Sequence, residues 1–216
     1  MIENNIHQIW VGTSRIPTHI KEYMDKMKTY HQGKFNYFLW TDDNLPELPD
    51  NLKRIYDSYN EPAIRADLLR MYVVYKFGGF YLDADFDTLN GFTSDILPTD
   101  RWDGIIVYNG SYQLSALANS IFGFRKENPL LKFMLDNVVH KQQWIGPNWW
   151  SQTVSKYFNT NIEQMTVEDF RRKLNESNLE LGVWKDIEDN CFRHEPLSSW
   201  VHGSIWNKKL TSGDYD

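Results

Sequence analysis

The stretch Phe80-Tyr81-Leu82-Asp83-Ala84-Asp85-Phe86-Asp87 decides the fold: a short apolar run stops abruptly at carboxylates two residues apart. Gly78-Gly79 precedes it, and ahead of the glycines runs a helical pattern carrying Asp67 and Arg70. A buried strand ending in Asp-x-Asp delivers hard oxygen ligands to a sheet edge, where open α/β sheets bind their ligands. Read as an extended strand, the period of two points Asp83 and Asp85 the same way, so that both approach one cation. Carboxylates so placed suit Mg²⁺ or Mn²⁺ carrying a diphosphate. The plain alternative is a polar strand end whose acids are merely solvated.

Upstream, Ile6 to Val11 reads as a first strand, ended by Gly12-Thr13-Ser14. Pro17 opens a helix whose apolar residues Ile20, Tyr23, Met24, Met27 and Tyr30 keep a spacing of three and four, with Gly33 just past its end. Phe35 to Trp40 reads as a second strand. This order of strand, helix and strand predicts a parallel sheet. Glu61-Pro62 begins a helix to about Phe77 that is apolar nearly all round and therefore buried. Asp67 and Arg70, three residues apart, share one face of it.

Downstream, Ile105 to Tyr108 and Ser120 to Phe124 read as strands, and Asn128-Pro129 caps a helix reaching about Val139. Gly146-Pro147 opens an aromatic-rich helix through Phe158, Thr166 to Leu174 reads as a short helix, and the last stretch is irregular. The expectation is one domain over 1–216, with a nucleotide-binding half to about residue 100 and an acceptor half after it.

The 216 residues are 41% hydrophobic and 15% aromatic, enough for a sizeable core, and the 9 Trp and 12 Tyr suggest platforms for flat ligands. A net charge of −6 argues against nucleic-acid binding and against docking on an anionic leaflet. A single cysteine, Cys191, excludes an internal disulfide. No apolar run is long enough to span a membrane, and the first residues lack the basic and apolar regions of a signal peptide. A soluble cytoplasmic protein is the expectation.

Four constellations carry chemistry. The Asp-x-Asp is the first, and Asp87 extends it toward a calcium loop. That loop needs Gly sixth and Glu twelfth, whereas Thr88 and Ser94 stand there. A phosphatase with an aspartyl nucleophile places its motif on the first strand, which this chain does not. Asp67 with Arg70 is the second: a charged pair on a buried helix is costly unless it grips sugar hydroxyls or phosphate. His7 to Trp10 is the third, a strand end where Trp10 can stack a base and His7 is an ordinary core residue. The fourth is the late segment with His202, Ser204 and Trp206, able to offer a metal ligand and phosphate donors.

Taken together these residues resemble the DXD-containing sugar transferases that include yeast initiating mannosyltransferases and bacterial capsular polysaccharide transferases. The resemblance begins at Ile6-His7-Gln8-Ile9-Trp10 and is densest in Ala66-Asp67-Leu68-Leu69-Arg70, Gly78-Gly79 and Tyr81-Leu82-Asp83-Ala84-Asp85. It is scattered later, at Ala118-Asn119-Ser120, Gly146-Pro147, His202, Ser204 and Trp206. A more distant likeness is to the glucosylating domains of large clostridial toxins. Ala66 departs from the family, many of whose members have Ser there.

The resemblance implies a GT-A fold, a Rossmann-like and mostly parallel α/β sheet with a mixed acceptor-side half. It implies a nucleoside-diphosphate sugar donor of UDP or GDP type, a glycan acceptor, Mn²⁺ or Mg²⁺, and retention of anomeric configuration. Asp67, Arg70, Asp83 and Asp85 are then the catalytic set. Ile9, Trp10, Val11 and Ala84 join them on the nucleotide-sugar, with Ser204 and Trp206. Asp83, Asp85 and His202 hold the metal, and Asn119, Gly146 and Trp149 belong to the acceptor side. A nucleotide-sugar hydrolase or phosphoesterase is the alternative enzyme, and a carbohydrate-binding module the alternative of another class.

Overall fold

The computed structural model describes residues 1–92, 102–108, 116–139, 145–185 and 191–194. Strands β1 (Asn5–Ile9), β2 (Asn36–Trp40) and β3 (Gly79–Leu82) alternate with helices α1 (Thr18–Tyr30), α2 (Asp50–Ser58) and α3 (Pro62–Phe77). Then follow β4 (Phe86–Thr88), β5 (Gly104–Tyr108), β6 (Leu117–Phe124), α4 (Pro129–Asp136), α5 (Pro147–Tyr157), α6 (Val167–Asn175), β7 (Leu181–Lys185) and β8 (Phe192–His194). The main sheet has the order β2-β1-β3-β6-β5-β7, and β4 pairs with β8 in a two-stranded ribbon. β1 is parallel to both β2 and β3, β7 is parallel to β5, and β6 is antiparallel to its two neighbours. One reversed strand in an otherwise parallel sheet matches the expected α/β class with a mixed second half.

The sheet sorts its side chains by the period of two. Ile9, Tyr81, Ile106, Phe122 and Phe124 enter one core with helices α2 to α6. Ile6, Phe80, Leu82, Ile105, Val107 and Ile121 enter the other, beneath α1 and the β4–β8 ribbon. Helix α3 is the central support of the first core. Pro62 presets its first turn, and Gly78 ends it at φ 66°, a left-handed conformation that suits glycine. Among the described residues no helix is long and apolar enough to cross a membrane.

Four parts of the fold depart from the sequence expectation. Helix α2 arises where no helix was expected, because Leu52, Ile55 and Tyr56 give it one narrow apolar face on an otherwise polar segment. Strands β7 and β8 are likewise unforeseen, being short and identified only by their partners. The Asp83-Ala84-Asp85 segment is not extended: β3 stops at Leu82, the chain turns with Phe86 N–H on Asp83 C=O at 3.4 Å, and β4 resumes at Phe86. The shared direction inferred for the two carboxylates from strand periodicity therefore does not apply. A turn brings them to the sheet edge instead.

The Gly78-Gly79 pair sets where that turn falls. Gly79 has φ +107°, and a Cβ there would meet the Asn5 carbonyl oxygen at 2.5 Å. Gly33, at φ +80°, has nothing within 4 Å. Gly79→Ala should therefore cost at least about 2 kcal/mol in urea unfolding, through strain and a clash with immobile backbone. Gly33→Ala should cost about 1 kcal/mol from strain alone. Equal losses at the two positions would contradict this packing.

Candidate active site

β1 sends its connection to β2 on one side and is flanked by β3 on the other, so the strand order reverses direction between β1 and β3. The crevice beyond the carboxyl ends of two such strands is where open α/β sheets bind ligands. Trp10 leaves β1 there, and Asp83 leaves β3. The half-buried Trp10 ring packs with Ala84, Ile20 and Met24, and its indole N–H donates to Ser14 C=O at 2.9 Å. Ile9 and Val11 are buried in the α3-side core, so only their main chains can face a ligand.

Behind the turn lies a hydrogen-bonded cluster centred on Arg70. Its Nη2 is 3.0 Å from Asp67 Oδ1 and 3.2 Å from Asp83 Oδ1, and its Nη1 donates to Asn119 C=O at 2.8 Å. Asn119 Nδ2 donates to Asp67 Oδ1 at 3.1 Å. The guanidinium lies 4.7 Å from the centre of the Tyr81 ring, whose hydroxyl donates to Asp83 Oδ1. Asp83 N–H donates to Ser120 C=O at 2.8 Å, and Gln8 Nε2 donates to Asp83 C=O at 3.0 Å. Asp67, Arg70 and Asp85 are buried, while the Asp83 side chain is 26% exposed.

One guanidinium serves two carboxylates here, and burial decides the outcome at the deeper one. Burial pushes the Asp67 carboxyl up to about 7; Arg70 opposes this, the Asp83 charge reinforces it, and the Asn119 amide opposes it again. Arg70 stays firmly charged, because Asp83, Tyr81 and Asp67 outweigh its own burial. Burial, with the neighbouring Asp83 carboxylate, raises the Tyr81 phenol well above its usual range against the pull of Arg70. The cluster therefore carries excess negative charge at the crevice and a proton-bearing acid beneath it.

The structure gathers Asp67, Arg70, Asp83, Ala84, Asp85 and Trp10 around one crevice, and it adds Asn119 from β6. Asn119 was expected on the acceptor side, but its amide and carbonyl serve Asp67 and Arg70. Gly146 caps α5, and Trp149 is buried in the core. Trp150 beside it packs at a tilt against Phe122 at 4.6 Å, and Phe122 packs on Tyr81 at 5.6 Å. The aromatic helix thus braces the Asp83 side of the crevice. His202, Ser204 and Trp206 lie outside the described residues. Asp87 is tied to Lys26 at 2.7 Å and Arg193 at 3.0 Å, fastening α1 and β8 to β4.

His7 is a satisfied core residue. Its Nε2–H donates to Gly78 C=O at 2.9 Å and its Nδ1 accepts from Trp40 Nε1–H at 3.1 Å. Burial lowers its pKa to about 4. Two site residues, Gln8 and Tyr81, were missed from sequence. The available signal for Gln8 was a polar residue between Ile6 and Trp10 on the buried face of a strand. A separate cavity of about 470 Å³ near Arg125, Tyr157 and Leu179 has no paired carboxylates. Its cations are already engaged, Arg125 by Asp103 and Lys173 by Glu176.

Two buried groups oppose each other as pH changes. Asp67 titrates near 7 in the fold against 3.8 outside it, so its contribution is present at low pH and lost as pH rises toward 7. His7 titrates near 4 against 6.5, so its contribution is present above 6.5 and lost as pH falls toward 4. In metal-free protein, Asp67→Asn removes the first effect. Its melting temperature should then rise from about pH 4.5 to 6.5 by roughly 5 °C more than the parent's. Parallel melting profiles would show that Asp67 is ionised in the fold.

Comparison with known proteins bears on what this crevice does. Residues 17–103 match the glycosyltransferase sugar-binding region containing a DXD motif. An uncharacterized glycosyltransferase of Acanthamoeba polyphaga mimivirus is 28% identical over 176 residues, 77% of this chain and 66% of that protein. Inositol phosphoceramide mannosyltransferase 3 of Schizosaccharomyces pombe is 33% identical over 138 residues, 62% of this chain and 36% of that protein. The chain thus spans from about a third to just under two thirds of these relatives. The solved PaToxG glycosyltransferase superposes with a TM-score of 0.57 at 19% identity, over 81% of this chain and 74% of that one, a likeness of fold. The fold is GT-A, and the region 17–103, with its acid–arginine helix and its Asp83-Ala84-Asp85 turn, matches the DXD-containing sugar-binding region of glycosyltransferases.

Proposed function

We propose that the chain is a metal-dependent glycosyltransferase. It moves a hexose or deoxyhexose from a nucleoside diphosphate of UDP or GDP type to a hydroxyl of a glycan or other acceptor, with retention. One observation carries this reading: Asp83 and Asp85 occupy a turn at the β1–β3 switch point, with Asp67 and Arg70 bonded directly behind Asp83. A relative named as a mannosyltransferase favours a hexose donor.

The donor set fits a small hard cation. Asp83 and Asp85 offer carboxylate oxygens, and among the described residues no group of three or more His, Cys, Asp or Glu is arranged to hold a metal by itself. Two carboxylates leave the remaining positions to phosphate oxygens and water, the habit of Mg²⁺ and Mn²⁺. A cation held there by Asp83 and Asp85 would supply positive charge to offset that developing on a departing diphosphate. His202 joins this set on the family resemblance alone, as do Ser204 and Trp206 on the diphosphate side.

The remaining roles fall to groups of this chain. Arg70 holds Asp83 in place and adds positive potential close to the diphosphate. Asp67, carrying its proton to about 7, can both donate to and accept from a hydroxyl of the donor sugar. Trp10 offers a half-exposed aromatic face at the end of β1 on which a base can stack. Water exclusion separates transfer from hydrolysis, and the crevice is already walled by buried side chains on both cores.

Titration calorimetry tests the reading. Mn²⁺ should strengthen binding of UDP or GDP at least tenfold over chelator-treated protein, about 1.4 kcal/mol, and Asp85→Ala should remove that gain. Equal affinity with and without metal would sink the metal assignment. In a turnover assay, a sugar acceptor should accelerate donor consumption and appear in the product. Rapid release of free sugar, indifferent to any acceptor, would instead favour the hydrolase.

A further inference from the structure

β1 and β3 pair through Ile6 with Phe80 and His7 with Tyr81, and past Tyr81 no residue of β1 is paired with one of β3. At that parting Gln8 reaches across from β1, and its Nε2–H donates to the carbonyl of Asp83 at 3.0 Å. The same carbonyl closes the turn by accepting from Phe86 N–H at 3.4 Å. The other end of the Gln8 amide is held as well, because Tyr37 on β2 donates its hydroxyl to Oε1 at 2.7 Å. Since Nε2 must face a carbonyl, the oxygen must face Tyr37, and the amide has one orientation.

Packing does not account for this residue. Gln8 is fully buried and shares its strand face with Ile6 and Trp10, which lie in apolar clusters beneath α1. A buried amide in such a layer is costly unless both ends are bonded, and an apolar side chain of similar volume would suit the layer better. The Asp83 carbonyl is what the amide serves. A side chain thus supplies the rung that the main chain of β1 does not, just where the chain leaves the sheet.

We infer that Gln8, oriented by Tyr37, is a positioning residue that sets the shape of the Asp83-Ala84-Asp85 turn for metal and diphosphate. This role rests on the proposed function. Asp83 is then fixed on every side: N–H by Ser120, carboxylate by Tyr81 and Arg70, carbonyl by Gln8. Gln8 also ties the turn to the strand that carries Trp10, so the base end and the metal end of a donor keep a constant separation.

The test compares the full chain with Gln8→Met, Gln8→Glu and Tyr37→Phe, with Gly33→Ala as a variant strained at a remote turn. Mn²⁺ binding in the presence of UDP or GDP is read by electron paramagnetic resonance, well below each melting temperature. Amide hydrogen exchange of Ala84, Asp85 and Phe86 is read separately in metal-free protein. Both Gln8 variants should bind Mn²⁺ at least tenfold more weakly and exchange faster at those three amides, with α3 amides unchanged. Tyr37→Phe should move the same way by less, and Gly33→Ala should match the parent in both readouts. Parent-like exchange at the turn in the Gln8 variants overturns the inference, and so does parent-like Mn²⁺ affinity. If the parent itself binds no Mn²⁺–nucleotide, the proposed function fails, while the exchange measurement still decides whether Gln8 holds the turn.

Discussion

A single buried guanidinium is the constraint on which this structure turns. Arg70 sits on a helix covered nearly all round and faces Asp67 and Asp83 together. Burying a charge is costly unless its partners are close and well oriented, so one cation fixes the positions of everything around it. Asp67 must lie one turn earlier on the same face, Asn119 must offer its carbonyl from β6, and Tyr81 must lay its ring beneath the guanidinium. Replacing this cluster by apolar residues would leave a sound core. It would leave no charged turn at the crevice, which is why the cluster points to function rather than to stability.

The frame keeps that cluster in register from both faces of the sheet. On one side a run of rings reaches from Trp150 through Phe122 to Tyr81, so helix α5 braces the side chain that holds the Asp83 carboxylate. On the other side Gln8 and Tyr37 hold the Asp83 main chain, and Asp87 fastens α1 and β8 against β4 just past the turn. A site built this way is rigid where the diphosphate would bind. Rigid placement is what lets a fixed charge stabilise charge that develops during reaction.

Much of this was legible in the chain. The spacing of Asp67 and Arg70, the glycine pair and the apolar run before Asp83 all follow from local rules, and the structure places them as those rules require. The turn at Asp83 was misread as strand, because an Asp-x-Asp sequence carries the period of a strand whether or not its backbone is extended. The bonds of Asn119 to Asp67 and of Gln8 to Asp83 were not foreseen, for a different reason. The partners lie 52 and 75 residues apart along the chain, and nothing local marks a side chain whose role is to complete a distant hydrogen bond. Trp149 is expected on the acceptor side from its aromatic surroundings in sequence, and in the fold its ring is buried in the core, since large rings fill a core as readily as they line a cleft.

The proposed function requires the cluster around Arg70 to present Asp83 and Asp85 to one divalent cation that carries the donor diphosphate. Its most direct test is anomalous diffraction at the manganese edge from crystals grown with Mn²⁺ and a nucleoside diphosphate. One strong peak is expected at the β1–β3 crevice, about 2.0–2.6 Å from a carboxylate oxygen of Asp83 or Asp85 and from the diphosphate. A nucleotide bound in that crevice with no metal peak beside either aspartate would contradict it.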